Sequence, residues 1–213
     1  DDFFHQGAFR QSFGVEYATA MEWSRKVPSP LRITRYDRYD WYLQFLTLKE
    51  LGQKNGIDTL PSWRGFKTHP AWDAYWQAKA MQKVWTVPNV AVLNVGGYWD
   101  QEDVLGPQEA YRTLERADTV RRWNHVVLGP WFHGGWAGRQ TDAFGPMKFG
   151  SDVGLHYRAN IERPWFHNWL HGDGTAAFKE AYLYEVQGNT WRTFDAWPPR
   201  EAKPSRLYLH ADG

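Results

Sequence analysis

Asp100 and His133 are the residues best suited to acid–base chemistry in this chain, and their setting singles them out more than their types do. His133 lies in Leu128-Gly129-Pro130-Trp131-Phe132-His133-Gly134-Gly135-Trp136. An imidazole titrates close to neutral pH, so a histidine in such a loop is suited to take a proton and return it. Asp100 lies in Gly96-Gly97-Tyr98-Trp99-Asp100-Gln101-Glu102-Asp103. A carboxylate beside an imidazole holds it in one tautomer and stabilises the imidazolium that forms. Each residue has an ordinary alternative. Asp100 is placed to cap the helix after it, and His133 suits a hydrogen-bonded loop position. Their occurrence past successive strand ends favours the catalytic reading.

The elements that must position the pair are legible. Val90-Ala91-Val92-Leu93-Asn94-Val95 is an apolar run of strand length, closed by Gly96-Gly97. Such runs suit a parallel strand buried on both faces. Val104 to Ala117 is helical in pattern, and His125-Val126-Val127-Leu128-Gly129 is the next strand. Strand, helix and strand make one βαβ unit. In open α/β sheets ligands gather at the carboxyl ends of strands, where both loops fall. Acid before base in the chain matches the α/β-hydrolase order, in which the serine comes first.

The rest of the chain divides by pattern. Phe9 to Trp23 reads as an amphipathic helix, and Pro28 and Pro30 bar its continuation. Tyr39 to Leu51 and Ala71 to Val84 are predicted helices within a strand-free stretch that has the look of a lid. Residues 151–171 form an aromatic-rich helix. The period then becomes two. Ala181 to Val186 and Thr190 to Phe194 flank Gly188-Asn189 as a hairpin, and Ser205 to His210 is one more strand. This tail is expected to open a separate β domain. The opening Asp1-Asp2-Phe3-Phe4-His5 and the strand-like end give the chain the look of a fragment.

Composition narrows the classes of partner. Lys and Arg number 25 against 24 Asp and Glu, and no basic block stands out, which argues against nucleic acid. No apolar run approaches the roughly 18 residues of a membrane span. There are 0 cysteines, which removes disulfides and thiolate metal sites. His167 and His171 are four apart, but no third ligand is evident, so neither a metal nor a cofactor is expected. The 14 tryptophans suit either an aromatic core or an aromatic-lined pocket. Trp99, Trp131 and Trp136 are candidate pocket walls, with core packing equally open for each.

The two loop motifs resemble the cocaine esterase and X-prolyl dipeptidyl peptidase superfamily. The likeness is greatest to its branch of α-amino acid ester hydrolases and glutaryl 7-aminocephalosporanic acid acylase homologues. Asp1 to Phe9 and the tail Trp191-Arg192-Thr193-Phe194-Asp195-Ala196-Trp197-Pro198-Pro199 resemble that branch too. The resemblance implies that Asp100 is the triad acid and His133 the triad base. It implies a carboxylate cluster of Asp2, Glu102 and Asp103 that holds a substrate's α-ammonium. It also implies a helical cap, a C-terminal jelly roll and an exported bacterial protein. The fold expected is therefore α/β: a partial α/β-hydrolase domain over residues 1–27 and 84–175, a helical cap over 28–83, and the start of a jelly-roll β-sandwich over 176–213. A bare ammonium in a dry pocket does need opposite charge, although Glu102 and Asp103 also suit a helix N-terminus.

The pattern departs from the family at the nucleophile. Ser12, Ser24, Ser29, Ser62, Ser151 and Ser205 are the serines, and none sits in Gly-x-Ser-x-Gly. The family's serine would fall before residue 1, so an N-terminal segment carrying it is an expected partner, and the isolated chain is expected to be inactive. The substrate expected is a small ester or amide, α-amino acid esters or β-lactam side-chain acyl groups foremost. An X-prolyl aminodipeptidase is the first alternative, and a non-catalytic carbohydrate-binding or structural module the second. A membrane partner is not expected, and a homo-oligomer is left open.

Overall fold

The computed structural model describes residues 3–5, 7–120, 122–138 and 141–208. They form two compact units, Asp1–Lys83 and Val84–Gly213.

The first unit is mostly helical. Two short strands, β1 (Phe4–His5) and β2 (Ala8–Phe9), pair antiparallel. They precede α1 (Gln11–Glu22), α2 (Arg38–Tyr42), α3 (Leu48–Lys54), α4 (Pro61–Thr68) and α5 (Ala74–Gln77). Local chemistry sets the helix starts. The Asp37 carboxylate accepts from the Tyr39 amide, and the Thr47 hydroxyl accepts from the Glu50 amide at 3.1 Å. Pro61 occupies the first turn of α4, where its missing N–H costs nothing. The stretch Tyr39 to Leu51, expected as one helix, is two, because the chain turns after Leu43 and Thr47 caps a new start. Ala71 to Val84 shrinks to α5 and a 3₁₀ turn over Met81–Lys83. Trp72, Met81 and Val84 are exposed, so no buried stripe extends that helix.

Helix α1 packs within the first unit. The sequence pattern assigns residues 1–27 to the hydrolase domain and sets 28–83 apart as a cap. Val15 and Ala18 of α1 share a core with Trp41, Leu51, Ile57, Trp63 and Phe66. The amphipathic face of α1 thus finds its apolar partners among the helices after it in the chain.

The second unit is built on a four-stranded sheet. Its strands are β3 (Val92–Gly97), β4 (Asn124–Gly129), β7 (Ala181–Glu185) and β8 (Thr190–Phe194), in the order β3-β4-β7-β8. β3, β4 and β7 run parallel, and β8 is antiparallel to β7. Helix α6 (Gly106–Glu115) makes the crossover from β3 to β4. A short hairpin, β5 (Ala143–Phe144) with β6 (Met147–Lys148), precedes α7 (Val153–Tyr157), a π-helical turn over Arg158–Glu162, and α8 (Arg163–Leu170). Every residue of β4 is buried. Its side chains alternate between two cores. Val127 meets Trp131, Phe149, Val153, Tyr157 and Tyr184 on one face, while Val126 and Leu128 meet Tyr111 and Ala181 on the other.

Residues 176–213 are expected to open a jelly-roll sandwich. The hairpin is present, with Asn189 at φ +50° in its turn. Its first strand, however, pairs in parallel with β4, Val127 opposite Tyr182. Ala181 and Tyr184 are buried on opposite faces, which suits an inner strand covered on both sides. Residues 181–194 therefore extend the same sheet that carries the site. Ser205–Tyr208 form no strand, and residues 209–213 lie outside the described residues.

Candidate active site

The site sits past the carboxyl ends of β3 and β4. The parallel register puts Gly97 opposite Gly129, and the chains stay stitched beyond the last pair. The Tyr98 amide donates to the Gly129 carbonyl at 2.9 Å, and the Trp99 amide donates to the Trp131 carbonyl at 3.1 Å. One residue further on one chain is Asp100, and two further on the other is His133.

These side chains meet. His133 Nδ1 lies 3.0 Å from Asp100 Oδ2 and 3.1 Å from Oδ1. The Asp100 side chain is 3% exposed, whereas that of His133 is 51% exposed. Burial of a carboxylate demands acceptable partners, and Asp100 has them. Its Oδ1 accepts from the amides of Glu102 at 2.8 Å and Asp103 at 3.0 Å. Three donors thus converge on one buried acid and fix its direction. With the carboxylate on Nδ1, the neutral ring carries its proton there and leaves Nε2 with a lone pair.

Glu102 Oε2 stands 3.7 Å from that Nε2, too far for a hydrogen bond but close enough to place negative charge beside the base. Asp103 is engaged differently. Its Oδ1 accepts from the Gly106 amide at 2.7 Å, at the start of α6. Of the expected carboxylate cluster, then, Glu102 is beside the imidazole and Asp103 is on a helix N-terminus. Asp2 lies outside the described residues.

The tryptophans separate by burial. Trp99 is half-buried and stacks on Phe144 at a 5.2 Å centroid distance and 13° between planes. Trp131 is wholly buried, with Tyr157 and Trp191 against its ring. Its indole therefore presents no face to solvent, and its carbonyl is the part that meets the Asp100 loop. Trp136 lies edge-on to His133 at 6.5 Å. Among the described residues no group of three or more His, Cys, Asp or Glu is arranged to hold a metal ion, and no helix is long and apolar enough to cross a membrane.

Sequence reasoning missed two contacts. Nothing in the loop's spacing placed Glu102 against Nε2 rather than towards a ligand. Nor did it reveal how closely the Trp131 carbonyl approaches Gly97. The only signal for the second was the Gly-Gly pair at the strand end, which announced a close approach without naming its partner.

A buried acid is bonded to a half-exposed imidazole, past the carboxyl ends of parallel strands, in a unit of mixed α/β architecture. The family profile described as X-Pro dipeptidyl-peptidase (S15 family) matches residues 1–135, and the chain belongs to that family. Among solved structures it is similar to an aminopeptidase from a marine sediment archaeon, Thaumarchaeota archaeon, with a TM-score of 0.87 and 33% identity over 94% of this chain and 33% of that one. It is also similar to a selenomethionine-labelled α-amino acid ester hydrolase, with a TM-score of 0.84 and 30% identity over 93% of this chain and 32% of that one. The chain thus spans about a third of each of these two proteins. Comparison with curated protein sequences gives no match.

Proposed function

We propose that the intact protein is a serine hydrolase that cleaves or transfers acyl groups of esters and amides, with α-amino acid esters and β-lactam side-chain acyl groups as its substrate class. The carrying observation is the paired contact of Asp100 with His133 Nδ1, which leaves Nε2 as the free base. His133 takes the proton of a serine hydroxyl as that oxygen attacks the acyl carbon. It then gives the proton to the leaving alcohol or amine. Asp100 holds the ring through both steps. The serine itself belongs to a segment outside these 213 residues, since no Gly-x-Ser-x-Gly occurs among them.

Glu102 supports the assignment of a cationic substrate. Its carboxylate is near the base and about a quarter exposed, so a substrate ammonium paired with it would bring the adjacent carbonyl towards the reacting atoms. Asp103 and Asp2 complete the proposed cluster, and Trp99 supplies an apolar wall. The test is an assay of the protein that includes the nucleophile segment. We expect an α-amino acid ester to be preferred over its N-acetylated form, and Glu102→Gln to raise KM for the former by about ten-fold or more while leaving the latter unchanged. Equal rates on both esters, with no response to Glu102→Gln, would rule out ammonium recognition.

A second reading, an X-prolyl aminodipeptidase, is favoured by the description of the matching family and by the archaeal aminopeptidase. It uses the same acid, base and ammonium contact. An X-Pro anilide run beside the amino ester separates the two by their relative kcat/KM.

A further inference from the structure

The position of His133 relative to Asp100 rests on a contact between two backbones. Gly97 closes β3 opposite Gly129, and its φ lies outside the left-handed region, so backbone freedom does not explain the glycine. Space does. A Cβ at residue 97 would fall well inside contact distance of the Trp131 carbonyl oxygen, and its next neighbours would be the Trp131 carbonyl carbon at 3.0 Å and Cβ at 3.3 Å. Gly96 differs. A Cβ there would sit 3.2 Å from side-chain atoms of Leu128 and Pro107, which can yield.

We infer that Gly97 is a positioning residue: its missing side chain lets the Trp131 carbonyl close onto the Asp100 loop, and that closure sets the acid–base distance. The chain of cause is short. With no Cβ in the way, the Trp131 carbonyl accepts from the Trp99 amide at 3.1 Å. That bond continues the β3–β4 ladder past the sheet. The Trp131 side chain is anchored at 0% exposure in the core, so its carbonyl cannot retreat freely. Asp100 follows Trp99 directly, and His133 follows Trp131 by two residues. A methyl at 97 must therefore push the two loops apart, and a spread of about 1 Å already breaks a hydrogen bond of ordinary length.

The inference rests on the reading of Asp100 and His133 as an acid–base pair, but its test does not need turnover. Nitrogen-15 NMR of the His133 ring in the 213-residue chain reports the Nδ1–H tautomer and the exchange of that proton with water. We expect the wild-type chain to hold the Nδ1–H form. Gly97→Ala should mix the tautomers and speed exchange by about ten-fold or more, the factor that a charge-assisted hydrogen bond supplies. Gly96→Ala should leave both signals as in wild type. Retention of the wild-type tautomer and exchange in Gly97→Ala overturns the inference. If Gly97→Ala loses its amide dispersion and so does not fold, Trp99 replaced by its α-hydroxy analogue decides, because it removes the amide donor without adding bulk. Loss of the Nδ1–H signal there supports the inference and its persistence overturns it. A wild-type ring without the Nδ1–H form would sink the acid–base pair itself, and the positioning argument with it.

Discussion

At the residue scale the site is economical in its use of Asp100. One carboxylate receives the His133 ring and two backbone amides, so it both orients that ring and organises its own loop. These roles separate on substitution. Asp100→Asn keeps an oxygen able to accept from the amides of Glu102 and Asp103, so the loop should hold. The amide cannot stabilise an imidazolium, and its NH₂ can impose the wrong tautomer. In the protein with its nucleophile, kcat is expected to fall by about 10³–10⁴-fold, with the thermal midpoint little changed. A fall below ten-fold would mean that Asp100 serves the loop alone. The pair was legible in the sequence because each residue comes after a short apolar run ended by glycine, and such signals are local. The neighbours of the pair were not. Asp103 on α6 and Glu102 beside Nε2 differ by one position, and which carboxylate turns towards the helix depends on the three-dimensional course of the loop.

Elements differ in how far the sequence reveals them, and the reason is physical. β3, α6 and β4 appear at nearly the predicted bounds, because burial on both faces gives a parallel strand a continuous apolar run. The β7–β8 hairpin falls on the predicted residues but in a different sheet. An antiparallel hairpin has the same alternation whether it opens a sandwich or edges a parallel sheet, and only its partner β4 distinguishes them. The partners of helix α1 are likewise not local, since the residues that cover Val15 and Ala18 come more than 20 positions later. The far end of the sheet carries a titrating group with consequences for stability. Glu115 on α6 is raised to about 7 by burial first, with Glu180 and Asp118 adding negative charge and an Asn124 hydrogen bond opposing the shift. Tyr111 donates to Glu180 in the same cluster. His125 lies close by between two carbonyls and feels the Glu180 and Asp118 charges, and burial holds its ring below the usual histidine range. A carboxyl raised on folding stabilises the native state below its unfolded value, and that contribution is lost as pH rises through its folded value. The Glu115 contribution to stability should therefore be lost between about pH 4.5 and 7, on the order of 1 kcal/mol once solvent screening is allowed for, while the lowered His125 acts in the opposite sense up to its ordinary value. Glu115→Gln should flatten this part of the profile in chemical denaturation across that range. An unchanged slope in the variant would assign the pH dependence to other groups.

At the scale of the whole molecule, the second unit holds the proposed acid and base, yet among the described residues no serine has the positive φ of the strained turn that exposes a nucleophile. Ser12 lies within α1, the Ser24 and Ser29 hydroxyls accept from backbone amides two residues on, and the Ser62 hydroxyl donates to Glu22. A serine hydroxyl is a weak nucleophile unless a base abuts it and donors await the oxyanion. Asp100 and His133 supply the base alone. The 213-residue chain should consequently give no fluorophosphonate adduct and no ester turnover above buffer, although its His133 ring is in working geometry. The protein extended by a segment with a Gly-x-Ser-x-Gly turn should be labelled at that serine, and His133→Ala should abolish the labelling while leaving the fold intact. Mass spectrometry of the labelled peptides locates the adduct. An adduct on Ser12, Ser24, Ser29, Ser62, Ser151 or Ser205 in the 213-residue chain would show that the base has a partner within it, and the requirement for a further segment would fall.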